Sequence, residues 1–300
     1  MKKSIIILCL LLLVLIAGCT VKEENPTIDE SDLSTTIDAQ PEPVNSPKGK
    51  KVNETVEYSV IDPENNRGLS TEKISHSYGV AKDGKPNQIS VNFQNMFDEK
   101  GWNAVCYDNK SNDKRLYLTF DCGYENGNTE KILDVLKDKK VPAAFFCTLY
   151  EVKENKELIK RMIDEGHIVG NHSNTHPSFA EISRTQMMEE IKAMDDYLRT
   201  EFNYSSAFFR FPKGEYSENA IDLVNSLGFK CVFWSCSYAD WDVNKQKGSK
   251  YAFDTVTSRL HPGAVILLHS VSSDNAAALG EIIDTAREKG YEFKSLNDLP

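Results

Sequence analysis

The chain has 300 residues, 40% of them hydrophobic and 27% charged, and its 35 Lys and Arg against 45 Asp and Glu give a formal net charge of −10. That length holds at most two domains of ordinary size, and the balance excludes a disordered chain, a collagen-like repeat and a multi-span membrane protein. So acidic a chain is also a poor partner for nucleic acid, whose binding rests on Lys and Arg neutralising phosphates.

In chain order, Lys2 and Lys3 precede an uninterrupted apolar run over 5–16, and Ala17, Gly18 and Cys19 follow. The run is shorter than the roughly 20 residues that span a bilayer, so 1–19 reads as a cleavable signal peptide. Its ending, 15–19, resembles a bacterial lipobox. Either Cys19 carries lipid after cleavage and anchors the chain outside the cytoplasm, or the leader is an ordinary secretory one and Cys19 is incidental. Residues 20–50 hold Pro26, Pro41, Pro43 and Pro47 among acidic and hydroxyl residues. They bury too little to offset their ordering entropy and read as a flexible tether. Residues 51–110 are irregular, an extension expected to pack on the following domain through Phe93, Phe97 and Trp102.

From Arg115 onward, short apolar strands alternate with amphipathic helices. Strands are expected over 116–120, 143–146, 167–170, 207–211, 230–234, 264–269 and 291–294. Helices are expected over 129–139, 158–165, 186–200, 218–227, 253–260 and 275–289. This alternation argues a parallel sheet in a single domain, 111–300. About 185 residues is short for an eight-unit barrel of about 250, leaving a reduced or distorted barrel, or else an open doubly wound sheet.

In such folds the chemistry gathers where strands end. Those ends carry Asp121, His172 with His176, Arg210, Asp240 and His269. Taken singly each has a plain structural role: a turn cap, a buried histidine, an ion pair. His167 and His261 are left in that class, and His76 lies in the extension. The spacing His172-x-x-x-His176 is different, because two imidazoles four apart can meet one transition-metal ion from a single loop.

Together these residues resemble the NodB-type polysaccharide deacetylases, carbohydrate esterase family 4. The five motifs of that family correspond in order to 119–124 (TFDCGY), 172–176 (HSNTH), 210–214 (RFPKG), Asp240-Trp241 and 267–270 (LLHS). The resemblance implies a distorted (β/α)7 barrel and hydrolysis of an N-acetyl group. It implies Asp121 as general base, His269 as general acid, Arg210 and Asp240 as their respective partners, and His172 and His176 as ligands of a divalent metal, with Zn2+ the expected ion. Tyr124, Pro212, Trp241, Leu267 and Leu268 would form the sugar and acetyl surfaces, with Trp234 and Tyr238 as further aromatic platforms. The stretches 119–128, 233–252 and 267–279 are closest to the de-N-acetylases that form muramic δ-lactam in spore cortex peptidoglycan. That branch implies peptidoglycan glycan strands as substrate, an N-acetylmuramoyl-L-alanine amidase acting upstream, and a site outside the membrane, such as the forespore intermembrane space. An N-acetylglucosamine deacetylase and a non-catalytic wall-glycan-binding protein are the alternatives.

One position departs from the family. Cys122 stands where most relatives have the Asp that completes an Asp-His-His metal site. Three readings stay open: thiolate ligation of zinc, a thiol turned away with two histidines holding the metal weakly, or a metal-free inactive site. Beyond Cys9 and Cys19, the chain keeps Cys106, Cys122, Cys147, Cys231 and Cys236, an odd number with no zinc-finger spacing.

Overall fold

In the computed structural model, residues 56–300 are described, except Tyr78 and Asn112. The leader, Cys19 and the tether over 20–50 lie outside them.

The chain enters through β1 (Ile74–Ser75), α1 (Gln88–Lys100) and β2 (Ala104–Val105), then reaches β3 (Arg115–Cys122), the axis of the fold. There follow α2 (Thr129–Lys139), β4 (Ala143–Cys147), α3 (Leu149–Glu154), α4 (Lys156–Asp164), β5 (Ile168–Asn171), α5 (Arg184–Phe202) and β6 (Phe208–Phe209). Next come β7 (Glu215–Tyr216), α6 (Glu218–Ser226), β8 (Lys230–Val232), α7 (Ser249–Ser258), β9 (Ala264–His269), α8 (Ser273–Glu288) and β10 (Glu292–Phe293).

The sheet runs β10-β3-β4-β5-β6-β8-β2, with β9 along the other side of β3, and every pairing within it is parallel. A single parallel bridge, Cys236 to Ile266, joins the segment after β8 to β9 and closes the curl. This is the distorted barrel that the alternation and the family resemblance imply. The seven strands expected from the sequence are β3, β4, β5, β6, β8, β9 and β10.

Strand β3 is buried on both faces, as parallel strands under helices are. Its residues split by the two-residue pleat. Leu118, Phe120 and Cys122 join Phe145, Cys147, Ile266 and Leu268 in one core, under Leu133, Leu136, Leu279 and Ile283 of α2 and α8. Tyr117 joins Phe146, Val265, Leu267, Phe209 and Phe233 in the other. Asp121 and His269, paired across β3 and β9, continue the second set. Local signals fix the helices: α2 ends on Lys140 in the left-handed region, and α5 begins with a capping box between Ser183 and Gln186.

The extension over 51–110 is more regular than its sequence suggests. Helix α1 is capped by the Asn87 side chain and stopped by Gly101 at φ 67°. Its buried positions are Ser90, Gln94 and Phe97, so polar side chains occupy places where a helical pattern would show apolar ones. Gln94 is satisfied there by accepting from the Cys106 backbone N–H at 2.9 Å. The two-residue β2 then extends the barrel sheet itself, beside β8. The expected packing residues behave as read: Phe97 is fully buried, and Phe93 and Trp102 pack against the same cluster. Gly263 shows how closely this segment lies on the barrel, since a Cβ there would fall 2.1 Å from the Asp108 carbonyl oxygen. Helix α3 is a further element not expected from the sequence, being a six-residue piece.

Candidate active site

The ends of the central strands open into a cleft of about 720 Å³, lined by Asp121, His172, His176, Lys213, Trp234, Tyr238, Trp241, Leu267 and His269 among others. The polar groups reach it from the ends of β3, β5, β6, β8 and β9 or from the loops just beyond, His172 and His176 sharing the loop after β5.

Asp121 is the penultimate residue of β3 and is only 8% exposed. Its Oδ1 accepts from Arg210 Nη1 at 2.7 Å, and its Oδ2 lies 3.6 Å from His172 Nε2. Arg210 is wholly buried. It also donates to the Val232 carbonyl at 2.9 Å, to Thr119 Oγ1 at 2.9 Å and to the Phe233 carbonyl at 3.3 Å, with its guanidinium 4.1 Å above the Phe146 ring. Burial favours a protonated Asp121. The charges of Arg210, His172 and His269 and the Arg210 hydrogen bond outweigh it, holding the carboxyl below its usual range.

His172 presents Nδ1 to the Arg210 carbonyl at 2.7 Å. A carbonyl only accepts, so Nδ1 carries the proton and Nε2 offers a lone pair towards the cleft. His176 stands across from it, ring centroids 4.8 Å apart. The loop reaches this arrangement through two left-handed residues, Ser173 at φ 71° and His176 at φ 60°. Such backbone is uncommon for side chains other than Gly, Asn and Asp, and concentrates at functional sites. Burial lowers both imidazoles, His176 to about 4.

On the opposite side His269 donates from Nδ1 to Asp240 Oδ1 at 2.7 Å, and its backbone N–H donates to Oδ2 at 2.8 Å. Asp240 is 2% exposed. Burial alone would lower the imidazole; the Asp240 charge and hydrogen bond reverse this and raise it, leaving Nε2 as a proton donor.

Three expected site residues fall elsewhere. Cys122 is the next residue after inward-facing Asp121, so the pleat turns its thiol outward, beside Cys147 in the core under the helices. It cannot also ligate a metal in the cleft, and of the readings above the thiol turned away is the one this geometry fits. Leu268 faces the same outer core for the same reason, whereas Leu267 lines the cleft. Pro212 is buried and off the cleft surface; it starts a one-turn 3-10 segment that presents Lys213 and Gly214 instead. Tyr124 and Trp241 are where expected, on the rim and exposed. The sequence reading missed Thr119, Lys213 and Asn275, although all three lie inside stretches it had matched to the family.

Catalytic zinc ordinarily has three protein ligands and one open position. Among the described residues no cluster of three His, Cys, Asp or Glu side chains is arranged to hold a metal ion. His172 Nε2 and the His176 ring are the donors present, a pair suited in chemistry to a divalent cation but one ligand short. Held there, such a cation would polarise the acetyl carbonyl and make an attacking water more acidic.

Comparison with known proteins places this arrangement. Residues 108–232 match the polysaccharide deacetylase family model. Over 207 residues the chain is 46% identical to an uncharacterised 30.6 kDa protein of Geobacillus stearothermophilus, covering 67% of this chain and 78% of that one. It is 44% identical over 194 residues to the peptidoglycan-N-acetylmuramic acid deacetylase PdaA of Bacillus subtilis, covering 64% of this chain and 74% of that one. The solved structure of Bacillus subtilis PdaA, a family 4 carbohydrate esterase, superposes with a TM-score of 0.72 at 39% identity, over 77% of this chain and 98% of that one. Deacetylases of this family generally depend on a metal ion. With a curled parallel sheet, a buried carboxylate and an imidazole at the ends of neighbouring strands and this degree of identity, the chain belongs to the polysaccharide deacetylase family and is a hydrolase of the amide bond in acetylated glycans.

Proposed function

We propose that the substrate is the N-acetylmuramic acid residue of peptidoglycan, deacetylated to a free amine that closes onto its own lactyl group as muramic δ-lactam. The observation that carries the choice of sugar is Lys213. It lines the cleft, makes no ion pair among the described residues, and is held in the left-handed region at φ 59°. Its neighbour Gly214, at φ 68°, admits no side chain because a Cβ would fall 2.8 Å from the Trp234 ring. Among the described residues that line the cleft, Lys213 is the lysine or arginine open to solvent, Arg210 being buried against Asp121, and its ammonium suits the carboxylate of a lactyl group freed of its peptide. N-Acetylglucosamine carries no such anion. An amidase acting first would expose it. The identity to PdaA supports the same sugar.

In the reaction, Asp121 Oδ2 accepts a proton from the water that attacks the acetyl carbonyl, while Arg210 occupies Oδ1 and keeps the carboxylate ionised. His269 Nε2 protonates the departing amine, and acetate leaves. A positioned acid or base of this kind contributes about 10²–10⁴ in rate. Zn2+ is the cation proposed for His172 and His176, as a borderline-soft ion suited to imidazole donors. The lipid anchor at Cys19, an extracytoplasmic location and a role in the spore cortex complete the reading.

Peptidoglycan strands, intact and amidase-stripped, are incubated with the protein, with added Zn2+ or with a chelator, and the fragments are weighed by mass spectrometry. Acetyl loss from muramic acid in stripped strands is expected, together with sensitivity to the chelator. Loss from glucosamine alone would replace this substrate with the N-acetylglucosamine reading. No loss from either sugar would leave a wall-glycan binder.

A further inference from the structure

Behind the acid lies a chain of hydrogen bonds whose outer members, Asn275 and Tyr238, belong to none of the five motifs. Asn275, in the first turn of α8, is wholly buried. Its Nδ2 donates to Asp240 Oδ2 at 2.6 Å and to the His269 carbonyl at 3.3 Å, and its Oδ1 accepts from the Tyr238 hydroxyl at 2.5 Å. The carboxylate and carbonyl can only accept, so the orientation of the amide is determined, and Tyr238 must be the donor. The Tyr238 ring is part of the cleft wall. The same helix start also secures the loop carrying Asp240. Ser272 Oγ donates to Gln246 Oε1 at 2.6 Å, Gln246 Nε2 donates to the Asp240 carbonyl at 2.9 Å, and Asp274 accepts from the Lys247 and Gly248 backbone N–H groups at 2.7 Å each.

We propose that Asn275 and Tyr238 are positioning residues for the general acid: the Tyr238 hydroxyl orients the Asn275 amide, and that amide holds the Asp240 carboxylate against His269. The cleft wall and the aim of the proton donor are thereby one connected unit. The proposal rests on His269 being the acid.

The groups that act on His269 are Asp240 from the loop after β8, Asp121 of β3, and Arg210 just beyond β6, and the His172 and His176 rings face it from the loop after β5. Asp240 and Asp274 both act on the Tyr238 hydroxyl. Asn275 is the neutral group among them. Removing its N–H leaves Asp240 with one donor fewer, so the carboxylate binds the imidazolium more strongly and His269 loses its proton at higher pH.

The test measures acetate release from amidase-stripped strands against pH for the full chain and for Tyr238→Phe, Asn275→Leu and the double variant. Tyr238→Phe keeps the ring against substrate. It is expected to lower kcat about tenfold, and Asn275→Leu roughly 10–100-fold, the range typical of outer-shell partners, with KM unchanged. The alkaline limb of kcat moves to higher pH in Asn275→Leu, and the double variant loses no more than Asn275→Leu alone, because both act through one chain. Losses that multiply, an alkaline limb that stays in place, or a kcat for Tyr238→Phe within about twofold of the parent overturn the proposal. Should Asn275→Leu not fold, Tyr238→Phe decides by itself. His269→Gln is run alongside. If it retains the alkaline limb, the acid assignment falls; if it abolishes the limb while the other variants are silent, only the positioning role falls.

Discussion

The two sides of the cleft solve the same problem with opposite materials. On the base side, Asp121 and Arg210 sit at the ends of β3 and β6, and the guanidinium is fixed by backbone carbonyls, Thr119 and an aromatic face. On the acid side, His269 ends β9, but its partner Asp240 rides on a loop secured by side chains of the first turn of α8. Burial pushes both titrating groups towards neutrality, and in each the neighbouring opposite charges reverse it, led by Arg210 for Asp121 and by Asp240 for His269. The shifts run in complementary directions, favouring an ionised carboxylate and a protonated imidazole, as amide hydrolysis needs of its base and acid. A sheet frame tolerates no rearrangement of the base, whereas the acid depends on side chains beyond the motif.

Removing the chemistry on either side is the largest expected effect. Asp121→Asn is expected to lower kcat by about 10²–10⁴ while leaving the fold in place, measured as acetate release beside a circular dichroism melt. An undiminished rate would move the base elsewhere.

Arg210→Met separates frame from loop. It strands a buried carboxylate without its counter-charge, expected to cost about 3–5 kcal/mol in urea unfolding. Asp240→Asn, on the looser side, is expected to cost less. Equal losses would erase the distinction.

The acid side is sharpened by pH. A raised His269 contributes stability that is present below the ordinary imidazole pKa of about 6.5 and is lost as pH rises through the folded value. The parent enzyme should keep its acid protonated above that ordinary value. In Asp240→Asn, the Asp121 charge is left as the opponent of burial, and the alkaline limb of kcat moves to lower pH. A limb that does not move would detach Asp240 from His269.

The smallest effect tests the pleat. Cys122→Ala removes a thiol from the outer core and should cost on the order of 1 kcal/mol in stability, with activity and chelator response unchanged. Loss of metal response would return Cys122 to the cleft.

The sequence by itself determined much of this molecule. Apolar runs and helical periodicity located all seven barrel strands and placed α2 at its observed bounds. Strand-end polar residues marked Asp121, His172, His176, Arg210, Asp240 and His269, because burying so many ionisable groups has no reason in packing alone. Helix α1 and β2 stayed hidden, since Gln94 and Ser90 occupy buried helical positions and a two-residue strand carries no period. What only tertiary structure decided is the face on which each neighbour lands. Cys122 and Leu268 adjoin Asp121, Leu267 and His269 in sequence, yet the pleat sends them into the opposite core. Tyr238, Asp240 and Asn275 are scattered along the chain and meet only because α8 begins where β9 ends. Alternation tells that two successive residues point apart; which of them meets the cleft depends on how the sheet curls and what covers its outside.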